Sequence, residues 1–145
     1  MKKQILMSLI IVAALMSLNS AVQAQSQSKW AGNVPFEFMA GGKTFAAGEY
    51  SIKIVNPASD RPALMIQNMQ TRESVIVQSM SEPAYSGDEA TLQFRRYGNR
   101  YFFGGVTLAG DSQALRIAKS KHERALQTEF ARNGELPTMV AVKRR

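Results

Sequence analysis

The chain of 145 residues contains no cysteine and a single histidine, His122. The absence of cysteine excludes disulfide scaffolds, thiolate metal sites, thiol nucleophiles and c-type haem attachment. One histidine excludes a metal site built from several histidines and leaves little basis for a histidine proton relay. Hydrophobic residues make up 45% of the chain, which is too many for a disordered protein, so we expect one small folded domain.

Long apolar runs are also scarce, and the one that occurs lies at the N-terminus. Residues Ile5 to Leu18 form a run of 14 residues after two lysines, interrupted only by two serines. A membrane span takes about 20 apolar residues, so this run is too short for an anchor. The small residues Val22 and Ala24 complete a signal-peptide pattern over residues 1–24, cleaved before Gln25. We therefore predict export to the periplasm or the extracellular space, with no transmembrane segment after cleavage.

The positive charge is concentrated near the C-terminus. Without residues 1–24 the chain has 16 basic and 11 acidic residues, and residues 25–115 contain eight of each. The whole net charge of +5 therefore lies in residues 116–145. We predict that this region contacts an anionic envelope polymer, lipid head groups or another protein, and the export signal argues against nucleic acid. The alternative is that the basic tail serves solubility only. The candidate residues are Lys121, Arg124, Lys143, Arg144 and Arg145.

From Trp30 to about Ala118 the pattern has a period of two residues, and glycine, proline and asparagine separate the segments. Such alternation is typical of β-strands with one face in a core. The pair Gly41-Gly42 predicts a hairpin turn that places Phe38 opposite Phe45. The segment from Ser81 to Asp88 is predicted to be a long loop. Seven or eight short strands at this spacing favour an antiparallel β-sandwich or a small β-barrel.

The segment Leu92–Phe103 contains the strongest hairpin signal. With Gly98-Asn99 as the turn, Phe94 faces Phe103 and Arg96 faces Tyr101. Side chains alternate between the two faces of a strand, so two sets result. The expected core set is Leu92, Phe94, Tyr101 and Phe103. The expected outer set is Gln93, Arg95, Tyr97, Arg100 and Phe102.

The outer set offers a second candidate binding surface. Arginine and aromatic side chains interleaved on a sheet can hold a sugar ring, an anionic polymer or another protein. The candidate residues are Arg95, Tyr97, Arg100 and Phe102. The alternative is that a helix or a second sheet covers this face. Exposed positions tolerate substitution, so changes at Gln93 or Arg95 are expected to cost far less stability than truncation of Phe94 or Phe103.

The pattern becomes helical after residue 118. Ser120 and Glu123 form a capping box, in which the hydroxyl and the carboxylate satisfy the first free amides of a helix. The helix is predicted from Lys121 to Asn133, with a glycine directly after it as the C-terminal stop. Its apolar positions, Leu126 and Phe130, lie one turn apart on the same side.

No cluster of residues indicates catalysis. His122 lies in the first turn of the basic helix, where Glu123 is already assigned to capping, so we expect a surface histidine. The pair Asp88-Glu89 is predicted to be part of a turn, because glycosidase chemistry needs two carboxylates across a cleft. The acidic residues lack Ca²⁺ or Mg²⁺ ligand spacing, and Gly104-Gly105 indicates a bulge or a tight packing site. We therefore predict no enzymatic activity, no cofactor and no metal site.

Two sequence blocks carry a family resemblance. The first is Val34–Phe38 with Gly42-Lys43-Thr44 and Ala47–Tyr50. The second consists of Leu92, Phe94 and Arg96–Phe102, followed by Ser120-Lys121 and Glu123-Arg124. In both blocks the chain resembles a family of small exported proteins of unknown function, found largely in Acidobacteria-type soil bacteria. The resemblance implies export and a β-rich domain, and it supplies no activity or site residue.

These observations predict three segments: a cleaved signal peptide (1–24), an antiparallel β domain (25–118) and a basic C-terminal helix and tail (119–145). The function that they favour is an exported, non-catalytic β-rich binding or structural module of the cell envelope. The alternative is a small β-barrel that carries a hydrophobic ligand, for which eight methionines would suit a flexible interior. A closed core favours the module, and a ligand-sized apolar cavity favours the carrier.

Overall fold

The computed structural model describes residues 29–85 and 87–143, which contain ten strands and one helix. The predicted signal peptide (1–24), Arg144 and Arg145 lie outside the described residues. The prediction of a mainly β fold with one C-terminal helix is confirmed, and the arrangement is β-sandwich-like. The strands are β1 (Lys29–Val34), β2 (Phe38–Ala40), β3 (Lys43–Phe45), β4 (Gly48–Ile54), β5 (Ala63–Asn68), β6 (Ser74–Pro83), β7 (Thr91–Tyr97), β8 (Arg100–Thr107), β9 (Gln113–Ile117) and β10 (Thr138–Lys143), and the helix α1 is Lys121–Arg132.

One strand, β6, joins the two halves of the sheet, which are β1-β4-β5 on one side and β9-β8-β7-β10 on the other. Residues 74–78 pair with β5, and residues 79–83 pair with β9. The antiparallel order β1-β4-β5-β6 therefore continues as β9-β8-β7-β10. A strand that changes partners midway allows the sheet to fold over on itself and enclose a core. The predicted loop from Ser81 to Asp88 begins later than expected, because Ser81, Glu82 and Pro83 still pair with β9.

Aromatic side chains fill the space between the two halves. Trp30, Tyr50 and Phe94 have no exposed surface. The ring of Phe94 lies 5.2 Å from Phe38 and 5.6 Å from Phe103, edge-to-face in both cases. Edge-to-face pairs add to the stabilisation that burial provides. The interior of the described fold is therefore a packed aromatic core.

The β2–β3 hairpin has the predicted turn and register. Phe38 lies opposite Phe45, and Gly41 has a φ of +57°. A Cβ at Gly41 would lie 2.5 Å from the side chain of Val75, so this turn approaches β6 closely. One further bridge joins the hairpin to the larger sheet, because Met39 pairs in parallel with Phe102 of β8.

The β7–β8 hairpin has the predicted register. Phe94 pairs with Phe103, and Gln93 pairs with Gly105, so Gly104 is an extra residue and the predicted bulge is confirmed. A Cβ at Gly105 would overlap the carbonyl oxygen of Leu115, which explains why this position needs glycine. Tyr101 differs from the prediction. It is only half-buried, because it lies beside the turn, where its ring stacks on Phe36.

The C-terminal segment returns to the sheet after α1. Strand β10 pairs with β7, from Thr138 opposite Arg96 to Lys143 opposite Thr91. Val140 and Val142 pack against the core. Residues 138–143 therefore add a strand to the sheet that residues 29–117 form. The sequence shows four consecutive apolar residues here, Met139–Val142, and only the pairing with β7 identifies them as a strand.

Candidate functional site

The predicted outer surface of the β7–β8 hairpin lies under α1. Arg95, Tyr97 and Phe102 do share one face, but Tyr97 and Phe102 are buried and the side chain of Arg95 is only 12% exposed. Arg100 alone is exposed. The expectation of an open surface at Arg95, Tyr97 and Phe102 is therefore wrong, and the alternative of a covering helix is what the structure contains. The apolar side of α1 requires burial, and these aromatic side chains provide the matching surface.

A buried ion pair fixes α1 to the hairpin. The guanidinium of Arg95 donates from Nε and Nη2 to the two carboxylate oxygens of Glu123, at 2.5 and 2.9 Å. Its Nη1 donates to the carbonyl oxygen of Ile117 at 3.1 Å. Tyr97 Oη donates to Oε1 of Glu123 at 3.2 Å. The Glu123 side chain is 2% exposed. The three hydrogen bonds that its carboxylate accepts, two from Arg95 and one from Tyr97, replace the hydrogen bonds to water that it loses on burial.

The capping box is only half correct. The amide of Glu123 donates to Ser120 Oγ at 3.1 Å, which confirms Ser120 as the N-cap. The carboxylate of Glu123 is bonded to Arg95 and Tyr97 instead of to the start of the helix. A charge-assisted bidentate pair with arginine is stronger than one bond to a backbone amide, which explains the outcome. This function of Glu123 is invisible in the local sequence because its partners lie 26 and 28 residues away.

Apolar contacts complete the junction between helix and hairpin. Leu126 is buried against Tyr97 and Phe102, and Phe130 packs at the edge of this cluster. The Phe130 ring lies 5.9 Å from the ring of Tyr97. A Cβ at Gly98 would lie 3.2 Å from Phe130, so the turn residue and the helix are in close contact. The junction is a second, smaller core on the outer side of the sheet.

Burial changes the acidity of Tyr97. Its pKa is raised from 10.0 to about 12, chiefly by burial and then by the adjacent negative charge of Glu123. The positive charge of Arg95 opposes this rise. Tyr97 therefore remains a protonated hydrogen-bond donor to Glu123 throughout the neutral and moderately alkaline range.

The predicted basic residues Lys121 and Arg124 lie on α1 together with Arg132, and Lys143 lies elsewhere. Lys121, Arg124 and Arg132 are exposed and project from α1 within a sector of about 80°, at 3.6 residues per turn. Leu126 and Glu123 occupy the opposite, buried side of the helix. Lys143 lies at the end of β10, with Nζ 3.3 Å from Oε2 of Glu89. Arg144 and Arg145 follow it and lie outside the described residues.

Two open grooves adjoin the helix junction. The larger has a volume of about 440 Å³ and lies between the first turn of α1, the β2–β3 turn and the segment Ile117–Ala118. The smaller, of about 270 Å³, contains Glu37, Thr44, Asn99 and Arg100. Met39 and His122 line both grooves. The histidine is exposed, and its ring lies 6.1 Å from the ring of Phe102.

Sequence reasoning did not identify these grooves. The sequence predicts His122 only as a surface residue. The proximity of Met39 and His122 depends on the docking of α1 beside β2, which no local pattern encodes. Among residues 29–85 and 87–143, no group of three or more histidine, aspartate or glutamate side chains could hold a metal ion. The same residues include no helix long and apolar enough to cross a membrane.

The buried Arg95–Glu123 pair predicts that a change at Arg95 costs much more stability than the sequence-based expectation of an exposed residue. We predict that Arg95→Met lowers the free energy of unfolding by about 3–5 kcal/mol, because Glu123 keeps a buried charge without its partner. The double variant Arg95→Met/Glu123→Met should recover much of this loss, since both charges are removed together. Urea unfolding of the single and double variants measures both values.

Arg100→Met is the matched control, because Arg100 is an exposed arginine in the same hairpin. It should change the free energy of unfolding by no more than about 0.5 kcal/mol. Equal losses of unfolding free energy in Arg95→Met and Arg100→Met would contradict the burial of the Arg95–Glu123 ion pair.

The raised pKa of Tyr97 predicts a loss of stability in alkali. An acid whose pKa is higher in the folded state contributes stability that is complete below its unfolded value of 10.0 and is lost as the pH rises through about 12. Thermal unfolding between pH 9 and pH 12 should therefore show a stability decrease in the wild type that is smaller in Tyr97→Phe. Identical pH profiles for the two proteins would show that Tyr97 is not shielded as described.

Comparison of the chain with protein-family profiles, with curated proteins and with solved structures finds no match.

Proposed function

We propose that this protein is an exported, non-catalytic binding module of the cell envelope that contacts an anionic envelope component through the exposed face of α1. The target chemistry is a dense array of phosphate or carboxylate groups, as in acidic lipid head groups or an acidic polysaccharide. The N-terminal signal pattern and the resemblance to small exported proteins support a location in the periplasm or outside the cell.

The observation that carries the proposal is the two-sided character of α1. Its buried side contacts the hairpin through Glu123 and Leu126. Its solvent side presents Lys121, Arg124 and Arg132, which take no part in the ion pairs of the described residues. Because Arg95 neutralises Glu123, the acidic residue in the first turn does not weaken the positive field of this face. The helix is therefore both an anchored element and a cationic surface.

The other described basic residues of the C-terminal region contribute less to such a surface. Arg116 Nε lies 3.8 Å from Glu82, and Lys119 donates to Gln127 at 2.9 Å. Lys143 has Glu89 as its partner. Charges that are paired or already hydrogen-bonded attract a further anion less strongly than unpaired ones. The face formed by Lys121, Arg124 and Arg132 is therefore the favoured contact.

The strength of the contact follows from the number of charges. A lysine or arginine near an anionic membrane surface contributes about 1 kcal/mol, so three residues change the affinity by roughly 100-fold. Exposed charges are screened beyond about 8 Å at physiological ionic strength, so the affinity falls as salt is added. Such a contact is reversible and depends on density of charge at the target more than on its shape.

Two charge-matched triple variants test the proposal. The helix variant carries Lys121→Gln, Arg124→Gln and Arg132→Gln, and the tail variant carries Lys143→Gln, Arg144→Gln and Arg145→Gln. We predict that the helix variant binds phosphatidylglycerol vesicles about 100-fold more weakly than the wild type, and the tail variant only a few-fold more weakly. Co-sedimentation at low and high salt measures both, with alginate as the polysaccharide arm.

The melting temperature should be the same in all three proteins, because the substituted residues of α1 are exposed. Equal losses in the two variants would show that total charge, and not the helix face, determines binding. Binding by the wild type that does not depend on salt would contradict the proposal as a whole.

A further inference from the structure

The two grooves beside α1 are neighbours that share two lining residues, and they are named here the two halves of one cleft because their chemistry differs. The larger half, about 440 Å³, falls within the range of about 300–1,000 Å³ that is usual for small-molecule sites. The smaller half, about 270 Å³, extends it towards the β7–β8 turn. Met39 and His122 stand where the two halves meet, since both residues line both grooves.

The larger half has an apolar lining. Met39, Phe102 and Ile117 contribute to it, with Ala118 at the exposed rim. Arg95 and Glu123 also reach this groove, but their charged groups are bonded to each other. Lys121 adds a positive charge at the margin. This half therefore suits an apolar chain more than a polar molecule.

The smaller half is polar and contains an arginine with an unused charge. Arg100 is exposed and takes no part in the ion pairs of the described residues. Asn99 and Thr44 line the same groove and have side chains that can donate hydrogen bonds. Glu37 is the acidic residue of this half, and it is opposed by Arg100 here and by Lys121 in the larger half. The balance of charge along the cleft is positive.

From this arrangement we infer that the cleft binds a single-chain amphiphile with an anionic head group. The alkyl chain lies on Met39, Phe102 and Ile117, and the head group is held by Arg100 with Asn99. Lys121 lies at the border of both surfaces, but the residues assigned to the alkyl chain and the head group are not part of the solvent face of α1, so this inference does not depend on the proposed function. It also differs from a ligand inside the sheet, because aromatic side chains occupy that interior.

Decanoate, kept below its micellar concentration, is the probe for this site. Isothermal titration calorimetry of the wild type should show saturable binding of one decanoate per chain. Ala118→Phe places a ring in the apolar half and should weaken binding at least tenfold. Ala125→Phe is the matched control, because Ala125 is exposed on α1 and does not line either groove. It should bind decanoate as the wild type does.

A second pair of variants tests the head-group contact. Arg100→Gln should weaken decanoate binding by three- to tenfold, and Arg61→Gln, at an exposed arginine outside both grooves, should leave it unchanged. The uncharged analogue decan-1-ol should bind to the wild type more weakly than decanoate does. The two compounds should bind to Arg100→Gln with equal affinity. Equal affinity of the wild type for the two compounds would overturn the assignment of Arg100.

A measurement on the unmodified protein avoids dependence on variant folding. Methyl NMR spectra recorded during a decanoate titration should show shifts at Met39 and none at Met69, an exposed methionine outside both grooves. Shifts at both methionines, or at neither, would overturn the proposed site. An unchanged affinity in Ala118→Phe would do the same.

Discussion

The ion pair between Arg95 and Glu123 is the contact on which the outer half of this structure depends. It joins the middle of β7 to the first turn of α1, and Tyr97 adds a third donor to the same carboxylate. Its geometry fixes the rotation of the helix about its axis, because a bidentate guanidinium–carboxylate pair tolerates little angular error. Two surfaces follow from that rotation: the cationic face that points away from the sheet, and the cleft wall formed by the first turn.

The pair also explains why a polar group is buried in an otherwise apolar junction. Leu126 and Phe130 could pack on a sheet in more than one rotation or register, since apolar contacts have little directional preference. A buried charge that has only one compatible partner removes those alternatives, and specificity of this kind is a known use of buried polar groups. The cost is a junction that loses stability sharply when either partner is removed alone. We regard the pair as the element that turns an amphipathic helix into a fixed part of the fold.

The sequence was sufficient wherever structure is determined by near neighbours. The two-residue turn at Gly98-Asn99 and the alternation around it predict the register from Phe94–Phe103 to the turn, and the pair Gly104-Gly105 marks the irregularity that follows. Ser120 identified the start of the helix because an N-cap acts within three residues. The sequence was insufficient wherever a partner is distant. Alternation placed Arg95 correctly on the outer face but could not show that a helix covers it, and no local pattern brings Met39 beside His122.

The central claim, that Glu123 holds α1 in one fixed position on the hairpin, is tested most directly by amide hydrogen exchange. In the wild type the amides of residues 125–132 should exchange slowly, through a cooperative opening of the helix from the sheet. In Glu123→Gln they should exchange faster, while the amides of Ile52, Leu64 and Ile66 in the core strands remain as slow as in the wild type. Fast exchange of α1 in the wild type, or equal exchange of α1 in the two proteins, would contradict the account.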